Sequence, residues 1–202
     1  MLEGLPFTDA LLKRCFDVVV ALVALSLSFW LILLAWIVAS IDTRSNGFFM
    51  QQRVGLKGRL FKVFKIKTMR PINNINTTIT AEDDPRITRL GAFFRKSKID
   101  ELPQLWNVLL GQMSFVGPRP DVPGYADRLT GEQRVVLSLR PGITGPATLK
   151  YKNEEALLAA QSDPKKFNDE VIFPDKVTIN IEYIQNYSFK QDLRYILQTI
   201  FG

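Results

Sequence analysis

The chain has 202 residues, 26 of them basic and 20 acidic, with a formal charge of +6, no histidine and one cysteine, Cys15. That length supports one real core and leaves little room for two full domains. Zinc centres, Ser-His or Cys-His nucleophile pairs and intramolecular disulfides are excluded, so acid–base or nucleophilic chemistry falls to carboxylates, lysines or hydroxyls. The positive balance favours an anionic partner, whether phosphate, nucleotide, acidic lipid or nucleic acid. A metal would be a hard cation on oxygen ligands, Mg2+ or Mn2+.

From Val18 to Ala39 the chain is uncharged and almost wholly apolar. A helix of that length is ~33 Å long, enough for a bilayer core, and it comes too late for a simple signal peptide. Lys13 and Arg14 precede it, while Arg44, Arg53, Lys57, Arg59 and Lys62 follow. Cations mark the cytoplasmic side of a membrane segment. The helix therefore either spans, ahead of a cytoplasmic domain, or enters and leaves on one face, with Ser26 and Ser28 supporting a bend through hydroxyl-to-carbonyl bonds. The core helix of a soluble protein is the third reading. Asp17 lies one turn from Lys13 and fits a local ion pair.

Phe48–Val54 and Leu60–Lys67 suit the two strands of a β-hairpin turned at Gly55-Leu56-Lys57-Gly58, the second alternating apolar and basic residues. Lys62, Lys65 and Lys67 form either an anion-facing edge or a solvated face. Pro71–Asp84 reads as a polar loop, either a lid or a plain excursion. Ile87–Phe94 and Leu102–Leu110 read as short helices, with Pro103 in the first turn of the second and Gly111 closing it. Asp100 and Glu101 then lie at a helix N-terminus among Arg95, Lys96 and Lys98. Adjacent carboxylates beside excess cations suit a negatively charged substrate. Ser97-Lys98-Ile99-Asp100 also fits a capping box, and acids at helix starts are common without chemistry. Gly117-Pro118-Arg119-Pro120 is a rigid turn presenting one arginine, and Arg140-Pro141-Gly142 is a second. A helix is expected near Glu154–Gln161. A terminal amphipathic one carries Leu193, Ile196, Leu197 and Ile200 on a face that packs on the core by default, or lies on a membrane surface. No internal repeat, RNP pattern, helix-turn-helix or zinc finger is present, so a nucleic-acid module has no support.

Several of these segments occur together and in order: Lys13-Arg14-Cys15-Phe16-Asp17, Gln52-Arg53-Val54-Gly55, the stretch from Phe64 to Arg70, that from Asp84 to Gly91, that from Lys98 to Val108, that from Ser114 to Pro120, and that from Arg140 to Gly145. This set resembles the bacterial sugar transferases of the monotopic phosphoglycosyl transferase superfamily, in their minimal catalytic form. The resemblance implies an α+β fold: a membrane-embedded, re-entrant helix with its flanks (1–45), then a small cytoplasmic catalytic domain of short helices with a β-hairpin (46–202). It implies transfer of a phosphosugar from a UDP-sugar to undecaprenyl phosphate with release of UMP, at the cytoplasmic face of the bacterial inner membrane, opening a glycoconjugate pathway. Asp100 is then the nucleophile and a ligand of Mg2+, and Glu101 assists. Arg95, Arg119, Arg140 and Lys67 become the candidates for holding phosphate. The implied partners are the UDP-sugar, undecaprenyl phosphate and membrane lipids, with no nucleic acid. A membrane-tethered scaffold of the same fold without chemistry is the alternative. Two departures stand out. Ser28-Phe29 replaces the Ser-Pro that usually breaks the family's membrane helix. Pro146–Glu155 replaces the segment that usually follows the last motif, so sugar specificity does not carry over.

Overall fold

The computed structural model describes residues 4–71 and 84–202. The expected polar loop, or lid, lies outside the described residues apart from its two ends. Among the described residues the fold is α+β and mostly helical, with two small two-stranded sheets.

The first helix, α1, runs unbroken over Phe7–Thr43 and ends at Arg44 in a left-handed conformation (φ 51°). Its contour is about 55 Å. Ser26 and Ser28 donate to the carbonyls of Leu22 (2.9 Å) and Ala24 (2.6 Å), one turn back. The helix stays continuous through Ser28-Phe29. Its buried positions, Lys13, Asp17, Ala21, Leu25, Ile32, Ala35, Ala39 and Thr43, recur every three, four or seven residues and form one stripe along the whole helix. The rest of the domain lies against that stripe. The opposite face leaves Val19, Leu22, Leu27, Trp30, Leu34 and Ile41 exposed, Leu27 by 80%. A core helix does not leave such a surface bare, so the soluble-core reading of this segment is overturned.

The N-terminal turns of α1 are tied down by polar contacts. Lys13 pairs with buried Asp192, which also accepts from Tyr183 Oη at 2.6 Å. The guanidinium of Arg14 donates to the carbonyls of Val108 (2.6 Å) and Leu109 (2.8 Å). Asp17 Oδ1 accepts from Ser114 Oγ (3.1 Å) and from the amide of Phe115 (3.0 Å). The local Lys13–Asp17 pair gives way to these long-range partners because both side chains are buried, where an unmet polar group is expensive.

Strands β1 (Phe48–Val54) and β2 (Leu60–Ile66) pair antiparallel, from Phe48 opposite Ile66 to Val54 opposite Leu60. The connection is a single 3-10 turn at Leu56–Gly58, with Lys57 and Gly58 at positive φ. Thr88 caps α2 (Arg89–Lys96) by accepting from the Gly91 amide at 2.8 Å. A 3-10 turn at Ile99–Glu101 leads into α3 (Gln104–Leu109). Strand β3 (Ser114–Val116) pairs in parallel with β4 (Gly142–Thr144). The chain then continues through α4 (Pro146–Lys150), α5 (Glu154–Ala159), α6 (Pro164–Phe167), a π-helical turn at Asn168–Ile172, α7 (Phe173–Gln185) and α8 (Phe189–Phe201).

One core joins Leu25, Ile32 and Ala35 of α1 to Ile66, Phe94 and Leu105; another joins Val54 to Leu129, Val136, Leu137 and Val177. The amphipathic period of α8 is present, but its expected core face is largely outside: Leu197 and Ile200 are 55% and 64% exposed. The helix is held instead through Asp192, Tyr195 and Ile196.

Candidate active site

The turn that carries Asp100 and Glu101 is built by its neighbours. Ser97 Oγ donates back to the carbonyls of Phe93 (2.8 Å) and Phe94 (3.2 Å), closing α2. Lys98 takes a left-handed conformation (φ 58°) that redirects the chain into the Ile99–Glu101 turn. No side chain caps that turn. Ser97 belongs to the helix behind it, so the capping-box reading fails. Leu102 and Pro103 continue in helical conformation into α3. Asn107, fully buried on α3, accepts from the amide of Phe64 (3.0 Å) and donates to the carbonyl of Lys62 (2.8 Å) and to Gln112 Oε1 (2.7 Å). These bonds satisfy the edge of β2 and set its register against α3, which places Lys65 opposite Glu101.

The two carboxylates sit in opposite electrostatic states. Glu101 Oε1 accepts from Lys65 Nζ at 2.7 Å and from Arg119 Nη2 at 3.4 Å. Burial alone would raise its pKa, but Lys65 and Arg119 together hold it well below the usual carboxylate range. Asp100 is 8% exposed, and its Oδ1 is buried without a hydrogen-bond partner. Burial, and then the neighbouring Glu101 charge, push its carboxyl up to about 6, against the opposing pull of Lys65, Arg95 and Lys98. Glu101 is thus permanently ionised and engaged, while Asp100 is ionisable near neutrality with one oxygen free. A pair of carboxylates driven apart in this way is a signature of divided chemical roles.

Arg119 is presented by the turn after β3, and that turn rests on backbone packing. Gly117 donates to the Thr144 carbonyl (2.9 Å) and Gly142 to the Pro118 carbonyl (2.8 Å). A β-carbon on Gly117 would lie 2.4 Å from the Arg140 carbonyl, and one on Gly142 would lie 2.2 Å from the Gly117 nitrogen. Only glycine allows this approach. Behind Arg119 stands Arg53, which donates to the Pro120 carbonyl (3.0 Å) and to Gln51 Oε1 (2.6 Å), and whose Nε is buried without a partner. Burial, and then the adjacent Arg119, lower its pKa to about 10. Half-buried Asp121 is pushed up to about 6 by burial, with Lys176 and Arg53 opposing. Lys176 of α7 pairs with Glu154 at 2.7 Å, and Arg95 pairs with Glu155, so α5 covers this flank.

Of the residues singled out from sequence, Asp100, Glu101, Arg119 and Arg95 come together in this cluster. Lys67 and Arg140 stand apart from its contacts. Lys67 Nζ donates to Ser45 Oγ (2.8 Å) at the end of α1, and Arg140 Nε donates to the Gly111 carbonyl (2.8 Å), on the side where Arg14 grips α3. Sequence reasoning offered Lys65 only as one of three lysines on an anion-facing edge or a solvated face, and left Arg53, Asp121, Glu154 and Lys176 out of the candidate site. Lys65 and Arg53 lie inside motifs already noted, and their charge was the available signal. The last three had none.

Among the described residues, no group of three or more carboxylate or cysteine side chains could hold a metal by itself. The donor set still fits Mg2+, which keeps several waters and usually takes one or two carboxylates together with substrate phosphates. The unpartnered Asp100 Oδ1 is the oxygen available to it.

Comparison with known proteins bears on the family of the chain. The sequence model of the bacterial sugar transferase family matches residues 8–202. The galactosyl transferase CpsE of Streptococcus agalactiae is 33% identical over 96% of this chain and 42% of its own length. The exopolysaccharide production protein PSS of Rhizobium leguminosarum is 33% identical over 95% of this chain and 94% of its own length. A Caulobacter vibrioides protein named UDP-glucose:undecaprenyl-phosphate glucose-1-phosphate transferase is 34% identical over 93% of this chain and 68% of its own length. The chain thus spans less than half of the first relative and nearly all of the second.

Proposed function

The chain belongs to the bacterial sugar transferase family, and from that premise we propose that it transfers a sugar phosphate from a nucleotide diphosphate sugar to undecaprenyl phosphate at a membrane. The observation that carries this reading is the split pair: a buried, unengaged Asp100 beside a fully engaged Glu101. The donor is a UDP-sugar. The Asp100 carboxylate attacks the sugar-bearing phosphorus, the bond from that phosphorus to the bridging oxygen breaks, and UMP leaves with the electron pair. An oxygen of the lipid phosphate then attacks the same phosphorus and expels the Asp100 carboxylate.

A carboxyl held at about 6 is mostly ionised at neutral pH and a better nucleophile than an ordinary aspartate. Glu101 does not trade protons. It fixes Lys65 and Arg119, whose charge stabilises the phosphoryl oxygens as the Asp100 anion approaches. Arg119, with its planar fork, suits phosphate better than a lysine would. Mg2+, held through Asp100, supplies further neutralisation of the diphosphate.

The proposed membrane geometry is supported by α1. Its buried stripe lies against the domain from Lys13 to Thr43, so a simple span would drag the polar domain into hydrocarbon. An unbroken helix cannot turn back within the bilayer, so α1 lies along the cytoplasmic face of the bacterial inner membrane, its bare apolar side in the lipid and the site where lipid phosphates lie.

The test is UMP release from a panel of UDP-sugars with undecaprenyl phosphate and Mg2+. Asp100→Asn is expected to abolish it, and mass spectrometry of the wild type without lipid is expected to find a phosphosugar ester on Asp100. Near-normal turnover by Asp100→Asn would refute the covalent route.

A further inference from the structure

Past Gln51, the partner of Arg53, lies an open groove of about 700 Å³, walled by β1, the segment after Pro120, and the π-helical turn that joins α6 to α7. Nothing in the chemistry so far uses it. Such π-turns occur often at functional sites, and this one brings Asp169, with the neighbouring Phe173, to the groove wall. We infer that this groove takes the uracil nucleoside of the donor, with Tyr125 and Phe173 as its stacking platform and the glutamines at positions 51, 52 and 133 reading the base edge. The inference rests on the reading of the chain as acting on a UDP-sugar.

Three observations carry it. First, the groove is linked by hydrogen bonds to the cations proposed to hold phosphate. Gln51, on its wall, accepts from Arg53 at 2.6 Å. Arg53 donates in turn to the Pro120 carbonyl, next to Arg119, which contacts Glu101. A diphosphate over Arg119 and Arg53 therefore has its nucleoside end at the groove, and the buried, unpartnered Nε of Arg53 is a donor without a partner along that path.

Second, the groove contains an aromatic pair, Tyr125 edge-on to Phe173 with ring centroids 5.1 Å apart. Aromatic faces of this kind stack nucleobases. Third, the one carboxylate on the wall is already engaged: Asp169 accepts from Tyr125 Oη (2.7 Å), Lys165 Nζ (2.5 Å) and Asn168 Nδ2 (3.2 Å). The polar side chains left over are the glutamine amides, the Thr130 hydroxyl and the Arg128 guanidinium. An amide offers both a donor and an acceptor, which matches the acceptor–donor–acceptor edge of uracil. A sugar pocket would leave its carboxylate available to hydroxyls.

The experiment uses the whole protein in lipid nanodiscs and measures direct binding of UMP, CMP and AMP, which needs neither the right sugar nor turnover. The wild type is expected to bind UMP at least tenfold more tightly than AMP. Tyr125→Ala and Gln133→Ala are each expected to weaken UMP binding about tenfold, whereas Tyr125→Phe, which keeps the ring, stays within about threefold of the wild type. Gln133 is exposed, so its replacement leaves the fold intact. Asp100→Asn is expected to bind UMP normally while losing turnover, which separates failure of the groove from failure of the transferase reading. Equal affinity for the three nucleotides, unchanged UMP binding in both alanine variants, or a change in sugar preference with UMP affinity intact would each overturn the inference.

Discussion

Asp100→Asn is expected to kill the enzyme and stabilise the protein. Burial and the Glu101 charge raise the Asp100 carboxyl from 3.8 to about 6. Each tenfold in an ionisation equilibrium is worth about 1.4 kcal/mol. Keeping Asp100 ionised at pH 7.5 therefore costs the folded protein about 3 kcal/mol relative to the unfolded chain. Asn has nearly the same shape and carries no charge. Its buried, unpartnered oxygen is matched by the one already present in the acid, so that contribution cancels. At this chain length about 3 kcal/mol corresponds to roughly 6–12 °C in Tm.

The pH dependence fixes the cause. The folded pKa is raised, so the folded state binds the proton more tightly and the ionised form bears the penalty. The advantage of Asn is complete above about pH 6, shrinks as pH falls from 6 to 3.8, and is gone below that. Melting curves of both proteins in detergent with EDTA, at steps from pH 4 to 8, read this directly, and UMP release by the same two proteins in Mg2+ without EDTA confirms the loss of activity. A gain independent of pH, or an Asn variant less stable than wild type at pH 7.5, would refute the reasoning.

Other outcomes follow from the same geometry. Glu101→Gln leaves Lys65 without its counter-charge and is expected to cost about 3 kcal/mol along with most of the turnover, in contrast to Asp100→Asn. Adding millimolar Mg2+ is expected to raise the Tm of the wild type and to leave that of Asp100→Asn unmoved, since the variant lacks the negative charge that would hold the ion. Gly117→Ala places a β-carbon 2.4 Å from the Arg140 carbonyl; it is expected to cost about 2 kcal/mol and to raise KM for the donor by displacing Arg119, seen in melting and steady-state kinetics together. Asp17→Leu strands Ser114 Oγ and the Phe115 amide in the interior; a loss of about 2 kcal/mol is expected, with earlier proteolysis of the N-terminal segment.

What could be read from sequence depended on whether the deciding interaction was local. The hairpin was legible because the glycines at 55 and 58 bracket its turn and β-formers flank it. Helix α8 was legible from its period, but the period says only that one face is apolar. Which face meets the core was decided by Asp192 reaching Lys13, a partner far away in sequence. The parallel pairing of β3 with β4 rests on two glycine-permitted contacts between segments that carry no strand-length pattern. Lys65 and Lys67 looked equivalent. Asn107, buried on another element, sets the register that sends Lys65 to Glu101 and leaves Lys67 at the end of α1. Ser97 and Asp100 matched a capping pattern, yet the left-handed Lys98 between them cut the pattern in two.

The link between α1 and Asp100 is α3. Its C-terminal carbonyls, at Val108 and Leu109, are held by Arg14 of α1; its middle is bolted to β2 by Asn107; its N-terminal side is the turn that carries Asp100 and Glu101. Six residues of helix span only about 9 Å, so Asp100 is fixed relative to α1 through one rigid piece. This arrangement solves a positional problem that a flexible tether would leave open. On the proposed reaction, a lipid phosphate confined to the interface cannot search for the carboxylate, so the carboxylate must be set at a fixed depth. Lys13, Arg14 and Asp17 fix that depth by replacing solvent contacts with partners on α8, α3 and β3. Arg14→Ala therefore tests position apart from chemistry. It frees one end of α3 without touching the site charges, and it is expected to slow transfer to lipid far more than formation of the Asp100 ester, measured as single-turnover UMP release in the absence of acceptor. Equal slowing of the two steps would show that α3 does not set the depth of the site.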